Sequence, residues 1–346
     1  MMEQPALDAT LPPEPASSAS GAPASGAGPS LSVDLAPRNM HGLRLANPVL
    51  VASGTFGYGT EYQGLVDIQR LGAICSKGIT VRPRKGNPTP RIAETPAGML
   101  NAIGLQNVGL RALVREKAPI WARWDVPVIV NISGESIDEF AHLSSTLDGV
   151  PGVAGLEVNI SCPNIRAGGR LFADTAESAA SVTAAVREST SLPLLVKLSP
   201  NVSDVVAIAR AVEEAGADAL SVANTFVGMQ IDITSGRPYL ANTTGGLSGP
   251  AIRPIVVRMV YQIAAAVGIP VVGIGGVTSV EDALQYLFAG ATAVQVGTAN
   301  FVNPRTALEV ASGLEAYLRR QGIRDVMEIV GRAQPARRES EPVAVG

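Results

Sequence analysis

Short apolar runs recur along the chain, and most end in glycine, asparagine, serine or threonine. In order they are "PVLVASG" from Pro48, "AICSKGI" from Ala73, "VPVIVNISG" from Val126, "LEVNIS" from Leu156, "LPLLVKLSP" from Leu192, "ALSVANT" from Ala219, "IPVVGIGG" from Ile269 and "TAVQVGT" from Thr292, eight in all. Segments of helical period separate several of them. "SDVVAIARAVEEAGAD" sets Val206, Ala209, Ala211 and Val212 near one face and ends at Gly216, a C-cap type of residue. "TSVEDALQYLFAGA" opens on Ser279 with Asp282 three residues later, close to a capping box. A helix, "AGA" and a strand follow one another at "EEAGADALSV" and again at "LFAGATAVQV", a faint internal repeat. Apolar strands alternating with helices predict a parallel sheet covered by helices. Eight such units favour an α/β fold of the closed (β/α)8 TIM-barrel type; an open doubly wound sheet, the alternative, would usually have fewer.

Two intervals exceed a simple crossover. Residues 80–124 contain "RPRKGNPTPRIAETPAGMLNAIGLQN", and residues 226–250 contain "FVGMQIDITSGRPYLANTTGGLSGP". Both follow strands, so both are expected as extended loops over the C-terminal mouth of the barrel, where active sites are built.

Polar residues at the ends of the apolar runs turn this architecture into a chemical prediction. Lys77 ends the second strand, Asn131 the third, Asn159 the fourth, Lys197 the fifth and Asn224 the sixth. A buried polar group costs about 1–3 kcal/mol unless it finds a partner. One such asparagine could simply tie down a loop; five at corresponding positions around one rim converge on something polar. The seventh strand ends at Gly275 and Gly276, and the eighth at Gly297 and Thr298. Loops after the seventh and eighth strands are the recurring phosphate site of this barrel, and glycine lets a phosphate reach backbone N–H groups. "GGLSGPA" adds a similar approach at Gly249. A phosphorylated ligand or cofactor is expected there.

Composition narrows the field. The chain has 346 residues, is 46% hydrophobic and carries a formal charge of -3, with 27 basic residues in no stripe or run. Nucleic acid and an electrostatic membrane anchor are poor partners for it. Two cysteines cannot form a disulfide framework, and two histidines give no zinc-ligand spacing, so no metal site is expected. The cysteine usage suits a reducing cytoplasm, and no apolar run is long enough to span a bilayer. Residues 1–32, rich in proline, alanine, serine and glycine, read as a disordered extension without signal-peptide character. Residues 333–346 read as a flexible tail, leaving 33–332 as one catalytic barrel.

Cys75 lies mid-strand in "AICSKG" and reads as a small buried hydrophobe. Cys162 stands three residues past Asn159 among polar neighbours, at the opening of a loop marked by Pro163 and "RAGG". An unperturbed thiol titrates near 8.5, close enough to neutrality to take a proton from a bound substrate. Neither His41 nor His142 follows a strand, so a Cys–His nucleophile pair is unsupported and a general base is the better role.

Taken together, "SGTFGYG", "SKGIT", "NAIGLQN", "NISCPN", "VKLSPN", "NTFVGMQID", "GGLSGPAI", "GIGGV" and "VQVGTANF", in this order over residues 37–332, resemble the class 1 dihydroorotate dehydrogenases, flavin enzymes of de novo pyrimidine (UMP) biosynthesis. The resemblance implies FMN in the barrel with dihydroorotate against its ring. Ser53, Lys77, Gly78, Asn131, Asn159, Lys197 and Ala223 would hold the ring and ribityl chain, and Gly249, Gly275, Gly276, Gly297 and Thr298 the phosphate. Substrate would lie among Lys77, Asn101, Ala102, Ile103, Gly104, Leu105, Asn159, Asn164, Asn224 and Thr225, whose amides can both donate and accept. Cys162 would remove the C5 proton while hydride passes from C6 to the flavin, giving orotate. Lys77 would face the substrate carboxylate, and Lys197 the negative charge of reduced flavin.

A cysteine base separates the chain from the class 2 enzymes, which use serine and carry an N-terminal membrane helix. "NAIGLQN", "NTFVGMQID" and "GGLSGPAI" are similar to the NAD-linked type (1B) rather than the fumarate-linked type (1A). The 1B type implies a homodimer core within a hetero-oligomer, with an electron-transfer subunit carrying FAD and an iron–sulfur cluster. Two cysteines are too few to hold such a cluster here. "RAGGRLFAD", following Cys162, departs from the family pattern, and the N-terminal extension lies outside it. Fumarate linkage, another FMN-dependent pyrimidine oxidoreductase, or a barrel retained only for binding are the competing expectations. The last predicts an apolar replacement among Lys77, Asn159, Cys162 and Lys197, and all four are present.

Overall fold

The computed structural model describes residues 28–160, 166–167, 170–172 and 174–335. Cys162 and Asn164 lie outside these residues. All eight apolar runs form strands: β1 (Val49–Val51), β2 (Ala73–Cys75), β3 (Val128–Ile132), β4 (Gly155–Asn159), β5 (Leu194–Lys197), β6 (Ala219–Val222), β7 (Val271–Ile274) and β8 (Ala293–Val296). Each pairs in parallel with its neighbours in sequence, and β8 pairs with β1 to close the barrel. The closed (β/α)8 reading holds, and the open-sheet alternative falls. Closure explains the near-continuous apolar sequence: with helices outside and packed side chains inside, almost no strand position meets water.

Around the barrel run α1 (Ile137–Leu147), α2 (Ala176–Ser189), α3 (Val205–Glu214), α4 (Arg253–Ala264), α5 (Val280–Ala289) and α6 (Thr306–Gln321). Four begin on a residue whose side chain accepts a first-turn N–H: Ser136, Thr175, Asp204 and Ser279. Such a cap stabilises a helix by about 1 kcal/mol, and each fixes where its strand-to-helix loop ends. At α5 the expected capping box forms between Ser279 and Asp282. The buried face of α3 is Ile208, Ala209 and Val212. Val206 and Ala211, expected on that face, are half-buried at its flanks.

The two long intervals do lie beyond strand ends, and they join. Ile92–Thr95 and Gly98–Asn101 from the first pair with Gly245–Ser248 and Phe226–Gly228 from the second in a four-stranded antiparallel sheet. Leu100, Ala93, Ala102 and Leu240 form a small apolar cluster of its own beneath it.

Short flanks on either side of residues 33–332 pack against the barrel. The Ser30 N–H donates to the Arg324 carbonyl at 2.8 Å, and its own carbonyl accepts from Val326. The Gln334 amide donates to the carbonyls of Tyr261 and Ala289, at 2.8 and 2.7 Å, near the ends of α4 and α5. Ala289 ends α5, so its carbonyl has no partner within the helix, and the C-terminal flank docks there.

Candidate active site

The parallel barrel sends the C-terminal ends of all eight strands to one mouth, and the described ones among the predicted residues lie on those ends or on the loops beyond them. Three glycine-containing loops meet first. Gly249 and Gly276 have φ of +100° and +64°, and a Cβ on Gly276 would stand 2.7 Å from the Gly249 carbonyl oxygen. The loop after β8 joins them through Thr298, whose hydroxyl donates to the Ser248 hydroxyl at 2.8 Å. Gly297 lies beside Ala52 at the start of the β1 loop. The loop after β7 is held from behind. Tyr286 of α5 lies flat on Gly273, where a Cβ would sit 2.4 Å from its ring, and its hydroxyl donates to the Gly275 carbonyl at 2.7 Å. Burial drives the Tyr286 pKa well above the ordinary phenol range, so the hydroxyl stays a donor. Arg253 donates to the Gly276 carbonyl and pairs with Asp282 at 2.5 Å. The result is a cradle with little room for a Cβ, closed on its outer side.

The other half of the mouth carries the lysines and asparagines. Lys77 stands beside Gly54 of the β1 loop, which also contains the half-buried Ser53. Burial, and then the charge of Arg91, lowers the Lys77 pKa from its usual value. An anion bound at this ammonium would favour its charged form and raise that pKa again. Lys197 and Asn131 are almost fully buried, at 6% and 1% exposure. Both reach Glu157, in the middle of β4. Asn131 Nδ2 donates to Glu157 Oε1 at 2.7 Å, and Lys197 Nζ lies 3.7 Å from the same oxygen. Ser221 and Gln295 donate to Oε2 at 2.8 and 2.9 Å. Burial alone would raise the Glu157 pKa, but Lys197 and these three donors outweigh it and hold the carboxyl below its ordinary value. Cys75, on β2, is fully buried with its thiol pushed well above the usual range by burial and by Glu157. It remains an inert apolar residue, as expected.

Over this mouth runs the stretch Asn101 to Leu105. Asn101 Nδ2 donates to the Gly246 carbonyl at 3.3 Å, and Thr225 packs where a Cβ on Gly246 would fall. The carbonyls of Ala102 and Ile103 accept from the side chain and backbone of Asn87. Gly104 has φ of +74°, and Leu105, at +55°, adopts a conformation uncommon for its type. Asn107 holds that turn by donating to the Leu105 carbonyl at 2.7 Å. The Leu105 side chain lies 3.9 Å from where a Cβ of Gly78 would be. Asn224 accepts from the Thr225 N–H at 2.9 Å, at the β6 loop. Ala223, just past β6, is buried, and Asn159, half-buried, ends β4.

Sequence reading missed Glu157, Ser221 and Gln295. A polar residue inside a strand buried on both faces is the signal that marks them. "LEVN" and "VQVG" carry the same anomaly one or two residues deeper.

The donor set suits a ligand with a phosphate at one end and a polar ring at the other. The glycine cradle fits the phosphate. Asn131 Oδ1 is a buried acceptor without a hydrogen-bond partner among the described residues, 2.7 Å from where a Cβ of Gly78 would stand, and suits a ring N–H.

The chain is similar to known proteins over the whole barrel. The family profile described as dihydroorotate dehydrogenase matches residues 35–318. The chain is 55% identical over 303 residues to a Geotalea daltonii protein, covering 88% of this chain and 98% of that one. It is 56% identical to a protein of Geotalea uraniireducens with the same coverage. To a Desulforudis audaxviator protein it is 57% identical over 292 residues, covering 84% of this chain and 95% of that one. All three relatives bear the name dihydroorotate dehydrogenase B (NAD(+)), catalytic subunit.

Proposed function

The chain belongs to the dihydroorotate dehydrogenase family of oxidoreductases, and from that premise we propose that it is the FMN-binding catalytic subunit of an NAD-linked enzyme. In this reading it oxidises dihydroorotate to orotate for pyrimidine biosynthesis and passes the electrons to a partner subunit carrying FAD and an iron–sulfur cluster. The observation that carries the FMN reading is the meeting of three loops at Gly249, Gly276 and Thr298 on the mouth that also gathers Lys77, Asn131 and Lys197.

Gly249, Gly275, Gly276, Gly297 and Thr298 hold the FMN phosphate, and Ser53, Lys77, Gly78, Asn131, Asn159, Lys197 and Ala223 hold its ring and ribityl chain. When bound, FMN supplies the acceptor for the hydride that leaves C6 of the substrate. Lys77 fixes the substrate carboxylate, and the stretch Asn101–Leu105 with Asn159, Asn164, Asn224 and Thr225 orients its ring amides. Cys162 takes the C5 proton as general base. Lys197 places positive charge where electrons accumulate. The names of the relatives favour NAD linkage over fumarate.

The test reduces the FMN-loaded protein anaerobically with dihydroorotate, then mixes it with fumarate, with a quinone, or with NAD and candidate partner subunits. Reoxidation is expected only with NAD and a partner. Reoxidation by fumarate alone would overturn the NAD-linked reading, and reduction by NADPH but not dihydroorotate would replace the substrate.

A further inference from the structure

Glu157 is a carboxylate with no exposure in the middle of a barrel strand, and its side-chain partners are all polar. Buried ion pairs are weak sources of stability, and well-packed apolar residues of similar volume often serve as well or better. Its value must then lie in what it does to its partners, and two of those reach the mouth.

The first is Asn131. A carboxylate can only accept hydrogen bonds, so the 2.7 Å contact to Glu157 fixes which end of the amide faces it. The NH2 group points into the barrel, and Oδ1 faces the position left open by Gly78. Asn131 is thereby preset as an acceptor at the rim. Neutral glutamine at position 157 could donate as well as accept, and the amide of Asn131 would be free to turn over. The second partner is Lys197, whose ammonium is balanced by the same carboxylate at 3.7 Å. A ring bound beside this pair meets a compensated charge instead of a bare cation. Ser221 and Gln295 hold the other carboxylate oxygen, so the group cannot swing toward either partner.

We propose that Glu157 is the positioning residue of the flavin site: it sets the acceptor face of Asn131 toward the ring and moderates the charge of Lys197. This rests on the FMN reading and deepens it. Removing the carboxylate charge should weaken oxidised FMN, by exposing the wrong face of Asn131, and favour the electron-rich reduced form.

The experiment titrates FMN into apo-protein by fluorescence quenching and measures the flavin midpoint potential anaerobically against indicator dyes. Glu157→Gln should bind oxidised FMN about tenfold more weakly. Its preference for reduced over oxidised FMN should rise about tenfold, which is about +30 mV for a two-electron couple. Glu157→Asp keeps the charge but withdraws it from Asn131, so affinity should fall while the potential stays at the wild-type value. Should the glutamine variant not fold, the aspartate variant decides alone: wild-type FMN affinity there overturns the proposal. A glutamine variant that loses only thermal stability, with both flavin readouts unchanged, also overturns it and leaves Glu157 structural. Failure of the wild-type protein to bind FMN would instead sink the reading of the site.

Discussion

Two acidic residues organise opposite ends of the barrel, and their partners differ in kind. Asp218 lies immediately before β6, at the N-terminal end of the strands. Its Oδ2 accepts from the Leu194 N–H at 2.8 Å and from Asn39 and Arg187 at 3.0 Å each. Arg187 in turn donates to the carbonyls of Thr190 and Leu192. Nearby, Asp148 accepts from the Thr190 and Ser191 hydroxyls and the Ser191 N–H, which hold its carboxyl below the usual range. Much of this polar capacity is spent on backbone, and it closes the floor. Glu157 binds side chains only among its assigned partners, and Asn131 and Lys197 carry its influence toward the mouth. Satisfying a carboxylate is common to both ends. What differs is whether the partner's other face is consumed by the fold or left for a ligand.

That contrast can be broken by substitution. The largest effect should come from Cys162→Ala, which should keep FMN but slow anaerobic flavin reduction by dihydroorotate by about 10²–10⁴-fold, as loss of a general base does; stopped-flow absorbance reads it. An unchanged rate would remove Cys162 from the chemistry. Next, Gly276→Ala forces a Cβ to 2.7 Å from the Gly249 carbonyl at a φ of +64°. It should weaken FMN binding by about ten- to a hundredfold, the equivalent of the strain such positions carry. Unchanged affinity would mean that the cradle does not hold the phosphate. At the floor, Asp218→Ala should lower unfolding stability by about 1–3 kcal/mol, because buried donors lose their acceptor. FMN affinity and reduction rate should stay at wild-type values. A changed rate would erase the distinction between the two ends.

Most of the barrel was legible in the sequence because each strand announces itself twice, by an apolar run and by the polar or glycine residue that ends it. The rim residues were legible for the same reason: Lys77, Asn131 and Lys197 break an apolar pattern at its end. Glu157 and Gln295 break it in the middle, and a single sequence does not show that Gln295, Ser221 and Asn131 all turn to meet Glu157. The pairing of the two long intervals was illegible for another reason. Residues 92–101 and 226–248 are far apart in the chain, and their short, glycine-bearing strands carry little pattern to set a register. Nor does composition show the attachment of Ser30 and Gln334, which depends on carbonyls supplied by distant elements.

The most direct measurement is an anaerobic titration of the FMN-loaded protein with dihydroorotate, following flavin absorbance and orotate together. The mouth described here predicts that each equivalent of dihydroorotate bleaches one equivalent of flavin and yields one of orotate. A protein that cannot be loaded with FMN, or whose flavin stays oxidised in excess dihydroorotate, would contradict it.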